Sequence, residues 1–125
     1  MRKIITIIFA ILATQARADW DSWTDTNRRW FVASQLAITA DWMTTRYGAL
    51  HRNELDPGLY ESNKFLGPYP SVGRVNAYHI ILLTSNYFIA DALPPDERNI
   101  YLFFRTVTHG SAAHHNVMGG WQLRF

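Results

Sequence analysis

The placement of proline constrains this chain more than any other feature. All five prolines fall in three short breaks: Asp56-Pro57-Gly58, Gly67-Pro68-Tyr69-Pro70 and Pro94-Pro95. The stretches between them have no internal proline, and the first is rich in the helix formers Ala, Leu and Met. This predicts a first helix over about 26–47, preceded by several N-capping candidates and stopped at Gly48. A second helix is predicted from the N-cap Ser71 to just before Pro94. A third begins at Pro95, where a missing N–H is harmless, with Asp96 and Glu97 in its first turn, and runs to about Val117. Gly110 lies inside it and suggests a kink. Residues 49–70 form a long connection with a short helical turn around 59–65, and connections of this length are often functional. The tail 121–125 alternates and suggests a short strand. The fold class is all-α: a small three- to four-helix bundle with one long loop containing Pro and Gly.

Read at the helical period, each helix carries a stripe of polar and small residues. The first has Ser34, Ala37, Asp41, Thr44, Thr45 and Gly48; the second has Asn76, His79, Leu83 and Asn86. The third has Arg98, Leu102, Arg105, His109, Ala112 and Asn116. A polar stripe is ordinarily a solvated face. These stripes, however, are poor in Lys and Glu and rich in His, Asn, Asp and Thr. The opposite faces carry Leu36, Met43, Ile81, Phe88 and Phe104, which suit a core or a bilayer edge better than water. The polar stripes are therefore expected to turn inward, where their members must hydrogen-bond one another.

The first 18 residues read as a secretory signal peptide. Met1-Arg2-Lys3 is positive, Ile4 to Ala13 is apolar, and Ala16-Arg17-Ala18 is a small-x-small cleavage site. The apolar run is short for a membrane span, which needs about 20 residues. The expected organisation is a signal over 1–18 and one helical domain over 19–125. The expected location is the periplasm or a membrane-associated place in the cell envelope.

Loss of Arg2, Lys3 and Arg17 changes 12 basic against 10 acidic residues into 9 against 10, a net charge of −1. The basic character of the whole chain is then no argument for nucleic acid, and no nucleic-acid partner is expected. Cysteine is absent, so disulfides, thiol catalysis and a lipid-modified cysteine are excluded. Trp20, Trp23 and Trp30 with their neighbouring arginines suit a membrane surface or an envelope protein as partner. The oligomeric state is not legible.

The polar-network candidates are Asp41, Thr45, Glu61, Asn63, His79, Arg98, His109 and Asn116. Glu61 lies in the long loop, where functional residues are often held over a rigid scaffold, although a loop carboxylate more often caps or pairs locally. No cofactor motif is present. A divalent metal on Asp41, Glu61, His79 and His109 is the alternative, and its ligands would have to be brought together from different elements. The adjacent His114 and His115 point about 100° apart on a helix, so both cannot join one site. No Gly-x-Ser-x-Gly or phosphate-binding glycine loop occurs.

Several runs carry a resemblance: Asp41-Trp-Met-Thr44-Thr45-Arg46, Glu61-Ser-Asn63-Lys-Phe-Leu66-Gly67-Pro-Tyr-Pro70-Ser71, Val75-Asn-Ala-Tyr78, Leu93-Pro94, Arg98, Asn116 and Gly119. Together they resemble a family of small signal-bearing helical envelope proteins of proteobacteria and their phages. The Glu-x-Asn-x-x-Leu-Gly-x-x-Pro-Ser run is the specific part. The resemblance implies an envelope setting and a helical fold, and no reaction. Where that family tends to carry an acidic residue on the last helix, this chain has His109.

Three readings remain open: a non-enzymatic envelope protein, of the cell or of a phage it carries, that contacts membrane or partner; a small metal-dependent or acid–base enzyme; and an integral inner-membrane protein.

Overall fold

A computed structural model describes residues 20–54, 58 and 60–125. The signal segment with its cleavage site, and most of the Asp56-Pro57-Gly58 turn, lie outside the described residues. A 3-10 turn, Trp20–Ser22, precedes three helices: α1 (Asp25–Leu50), α2 (Val72–Ala92) and α3 (Pro95–Met118). The protein is a small all-α bundle.

Each helix starts as its sequence dictates. Thr24 caps α1: its Oγ1 accepts from Asn27 N at 3.1 Å, and Asn27 Oδ1 accepts from Thr24 N at 3.3 Å. This reciprocal pair is a capping box with Asn in the position usual for Glu or Gln. Ser71 caps α2 by accepting from Arg74 N at 3.2 Å. Pro95 occupies the first turn of α3, with Asp96 and Glu97 beside it at the positive end of the helix.

One helix end differs from expectation. α1 does not stop at Gly48 but runs to Leu50. Gly48 is there for contact rather than termination: a Cβ at this position would lie 2.6 Å from Trp121 Cε2. The tail therefore packs its indole directly on the α1 backbone. α3 runs unbroken through Gly110 to Met118. The short strand expected at 121–125 is not formed, because no neighbouring strand offers the tail a ladder. The expected helical turn at 59–65 is a non-helical turn over 64–66, with Leu59 outside the described residues.

α1 is the central helix. It packs most extensively on α3 and less on α2, whereas α2 and α3 touch little. An aromatic core closes one end, with Trp23, Ala90 and Leu102 buried and Trp30, Phe31, Tyr87 and Tyr101 packed around them. Ile38, Val75 and Leu102 are fully buried. Each such aliphatic side chain contributes about 1.5–3 kcal/mol of transfer free energy at most.

This apolar core is small for the domain, and polar residues fill the rest of the interior. Asn27, Ser34, Asp41, Thr44, Thr45, His79, Asn86, Arg98 and His109 are buried. The inward turn of the polar stripes is thus the organising feature of the bundle. Tyr47 on α1 is buried as well. Among the described residues no helix is long and apolar enough to cross a membrane.

Candidate functional site

The buried polar residues fall into three groups along the bundle. At the aromatic end, Arg98 donates from Nε to Ala90 O at 2.7 Å and from Nη2 to Leu93 O at 2.8 Å. Its Nη1 donates to Asn27 Oδ1 at 3.2 Å, and its guanidinium lies 4.5 Å from the centroid of the Trp23 ring. Arg98 therefore satisfies the terminal carbonyls of α2 and ties them to α1. It does not share a site with the other network candidates.

In the middle, Asn86 Nδ2 donates to Ser34 Oγ at 2.9 Å and to Gln35 Oε1 at 3.1 Å. This pins α2 to α1 and has no titratable member.

The third group has the makings of chemistry. Asp41 on α1 lies between two histidines from the other helices. His109 on α3 donates from Nδ1 to Asp41 Oδ2 at 2.7 Å. His79 on α2 places Nε2 at 3.7 Å from the same oxygen, within ion-pair range and beyond hydrogen-bond reach. Thr45, one turn along α1, donates to Asp41 Oδ1 at 3.3 Å. Asn116, two turns beyond His109, donates to Thr44 Oγ1 at 2.9 Å and to Thr45 Oγ1 at 3.2 Å. The spacing of 3, 4 and 7 in the stripes produces this stacking directly.

Burial pushes the Asp41 carboxyl up, but the hydrogen bond from His109 and the electrostatic pull of His109 and His79 outweigh it, and its pKa lies below the ordinary value of 3.8. Asp41 is thus held as a carboxylate. His79 donates from Nδ1 to Val75 O at 2.9 Å. With both Nδ1 atoms committed as donors, each neutral ring presents its Nε2 as a lone pair. Neither Nε2 has a hydrogen-bond partner among the described residues, although both are buried.

These rings line a cavity of about 270 Å³, together with Thr45, Glu61, Asn63, Tyr78, Arg105, His115 and Asn116. The long loop reaches the cavity because it is tied down. Asn63 Oδ1 accepts from Phe65 N, Asn63 O accepts from Gly67 N, and Gly67 adopts φ +80°, a conformation open to glycine. Glu61 N donates to Pro68 O at 3.1 Å, and Arg74 Nη2 donates to Phe65 O at 2.7 Å. Leu66 is buried beneath this loop.

Of the eight network candidates, seven meet here: Asp41, Thr45, Glu61, Asn63, His79, His109 and Asn116. Glu61 lines the cavity but also does the local work open to a loop carboxylate, its Oε1 accepting from Asn63 N at 2.7 Å. For the metal alternative on Asp41, Glu61, His79 and His109, no group of three or more His, Cys, Asp or Glu is arranged to hold an ion among the described residues.

Sequence reasoning left out Arg105, Tyr78 and His115 as site residues. Arg105 lies one turn before His109 on the inward stripe of α3, and that 4-residue step carried its signal; His115 is exposed and borders the cavity from off the stripe. Tyr78 neighbours His79, and nothing in the periodicity singled it out.

The class defined by this geometry is a small helical bundle with a buried Asp–His pair open to a polar cavity. No protein-family model, curated protein or solved structure matches the chain.

Proposed function

We propose that this is an exported protein of the cell envelope that attaches to a membrane surface and acts by contact rather than by catalysis. The observation that carries this reading is the reversed polarity of the bundle. Its interior holds Asp41, His79 and Asn86, while Leu36, Ile81 and Phe104 on its exterior are 66%, 65% and 61% exposed. Val32, Ile80, Ile89, Ile100 and Val107 extend the apolar exterior over all three helices. Exposed apolar surface on this scale marks a contact with lipid or a partner.

Charge supports lipid. α2 has no Asp, Glu, Lys or Arg between Arg74 and Asp91, a run of 16 residues. At the helical rise that run is about 24 Å long. Exposed charges bracket it, with Arg29, Asp96 and Glu97 at one end and Arg52 and Arg74 at the other. An apolar band between charged ends, with Trp20 beside one of them, suits the boundary between acyl chains and headgroups. The signal-like first 18 residues and the family resemblance support the envelope setting.

Vesicle flotation tests the attachment. The chain is expected to float with vesicles of phosphatidylcholine and phosphatidylglycerol, and the triple variant Leu36→Glu, Ile81→Glu, Phe104→Glu to stay at the bottom. A wild-type chain that never floats overturns the reading. N-terminal sequencing of the cellular protein tests export, with Asp19 expected as the first residue.

A second reading, a small acid–base enzyme, is favoured by one observation. Asp41 orients His109 through Nδ1 and leaves its buried Nε2 without a partner, on a residue that lines a cavity, and an Asp–His pair of this kind is the arrangement of a general base. Loss of turnover in His109→Gln against a panel of simple esters would support it, and absence of turnover by the wild-type chain would count against it.

A further inference from the structure

We propose that the cavity between α1, α2 and α3 is a binding site for a phosphate group, held by His79, Arg105 and His109.

Three buried nitrogens without a hydrogen-bond partner belong to residues lining this one cavity: His79 Nε2, His109 Nε2 and Arg105 Nε. Buried polar atoms are ordinarily satisfied, and a cluster of exceptions beside a cavity marks the place of a missing partner. The two rings cannot satisfy Nε2 by changing tautomer. His79 Nδ1 is committed to Val75 O and His109 Nδ1 to Asp41 Oδ2. Within the described residues only Asp41 Oδ2, 3.7 Å from His79 Nε2, approaches either ring nitrogen, and it is already taken by His109, so a ligand in the cavity would supply the missing partner.

The chemistry of the three nitrogens selects it. Arg105 is always a donor and always cationic, so it requires an acceptor and disfavours a metal ion. Each His Nε2 accepts when its ring is neutral and donates when the ring is protonated. A hydrogen phosphate ion supplies both: oxygens that accept from Arg105 and from a protonated ring, and a P–OH that donates to a neutral one. A carboxylate can accept from all three nitrogens but has no proton to give to a neutral ring.

The carboxylates nearby are already engaged. Asp41 Oδ1 accepts from Thr45 and its Oδ2 from His109, while Glu61 Oε1 accepts from Asn63 N. The charged and titratable groups on the cavity are thus Asp41 from α1, Glu61 from the loop, Tyr78 and His79 from α2, and Arg105, His109 and His115 from α3.

The phosphate could be free or could be the exposed monoester of a lipid headgroup, and one experiment separates these. The full chain, with ¹⁵N-labelled histidine, is titrated with inorganic phosphate and, separately, with phosphatidylcholine vesicles containing or lacking phosphatidic acid. The expected result is a saturable shift of the His79 and His109 Nε2 resonances. Binding is expected to weaken at least tenfold in Arg105→Gln, a half-buried position whose loss leaves the fold intact by circular dichroism. His109→Gln gives a second, independent loss.

A response to inorganic phosphate supports a free ligand. A response to phosphatidic acid alone supports the headgroup source. No saturable shift with either, equal binding by Arg105→Gln, or equal binding of acetate overturns the proposal. The inorganic arm needs no membrane, so its outcome is separate from that of the attachment reading.

Discussion

Asp41 Oδ2 and His109 Nδ1 are 2.7 Å apart across the α1–α3 interface, and both side chains are buried. This contact joins the two helices that pack most extensively, at a residue that also lines the cavity.

Its pH dependence follows from the depressed Asp41 pKa. A carboxyl whose folded-state pKa lies below its unfolded value of 3.8 adds stability above that value. The contribution is lost as pH falls through the lower folded-state pKa. Stability to urea should therefore drop below about pH 4 in the wild-type chain. Asp41→Asn should lose about 1.5–3 kcal/mol at pH 7, the typical worth of a hydrogen bond to a charged group. It should also show a flatter acid limb. Urea titrations from pH 2 to 7 check both, and parallel acid limbs in the two proteins would refute the assignment.

Gly48 should tolerate no side chain. An added Cβ would sit 2.6–2.8 Å from the Trp121 ring, so the tail must move. Gly48→Ala is expected to cost about 1–3 kcal/mol through overpacking, despite the better helix propensity of Ala. The cost should largely vanish when Trp121→Ala is already present. A double-mutant cycle by thermal unfolding measures that coupling, and additive effects would show that the tail does not pack there.

Arg98→Met should destabilise the bundle without touching the cavity. It leaves Leu93 O without this donor and Ala90 O with only the backbone N–H of Leu93, and the loss of hydrogen bonds from a charged group costs about 1.5–3 kcal/mol. Because Arg98 lies at the aromatic end, the variant should keep the wild-type response of His79 and His109 to phosphate. Chemical denaturation and the histidine spectra together check this, and a changed histidine response would place the two ends in one coupled network.

The sequence made the helices and their inward polar stripes legible because both depend on local periodicity and on Pro and Gly breaks. Asp41, His79 and His109 were visible as members of separate stripes. Their meeting was not, since it depends on the rotation of three helices about their axes, which periodicity leaves free. Arg98 shows the limit from the other side. It shares a stripe with His109 but lies three turns away, so it serves the end of α2 and not the cavity. Gly48 was read as a helix stop because its other use, close approach by Trp121, involves a residue far along the chain. From the loop, Glu61, Ser62, Asn63 and Leu66 line the cavity, with Asn63 and Gly67 fixing the turn.

Asn86 offers the sharpest contrast with Asp41, since both are buried polar residues on the seam between α1 and α2. Asn86 Nδ2 has two acceptors, but its buried Oδ1 has no hydrogen-bond partner. Its partners are also provided for elsewhere: Ser34 Oγ donates to Phe31 O at 2.8 Å, and Gln35 Nε2 donates to Leu83 O at 3.4 Å. Replacing Asn86 by Leu removes one unsatisfied acceptor and leaves no buried charge unpaired. Asn86→Leu should therefore change stability by no more than about 1 kcal/mol in either direction. The similar replacement Asp41→Leu strips His109 Nδ1 and Thr45 Oγ1 of their acceptor and should cost about 3 kcal/mol or more. Equilibrium unfolding of the two variants side by side decides the matter. A large loss in Asn86→Leu would mean that the middle of the seam, and not the Asp41 cluster, fixes how α1 and α2 pack.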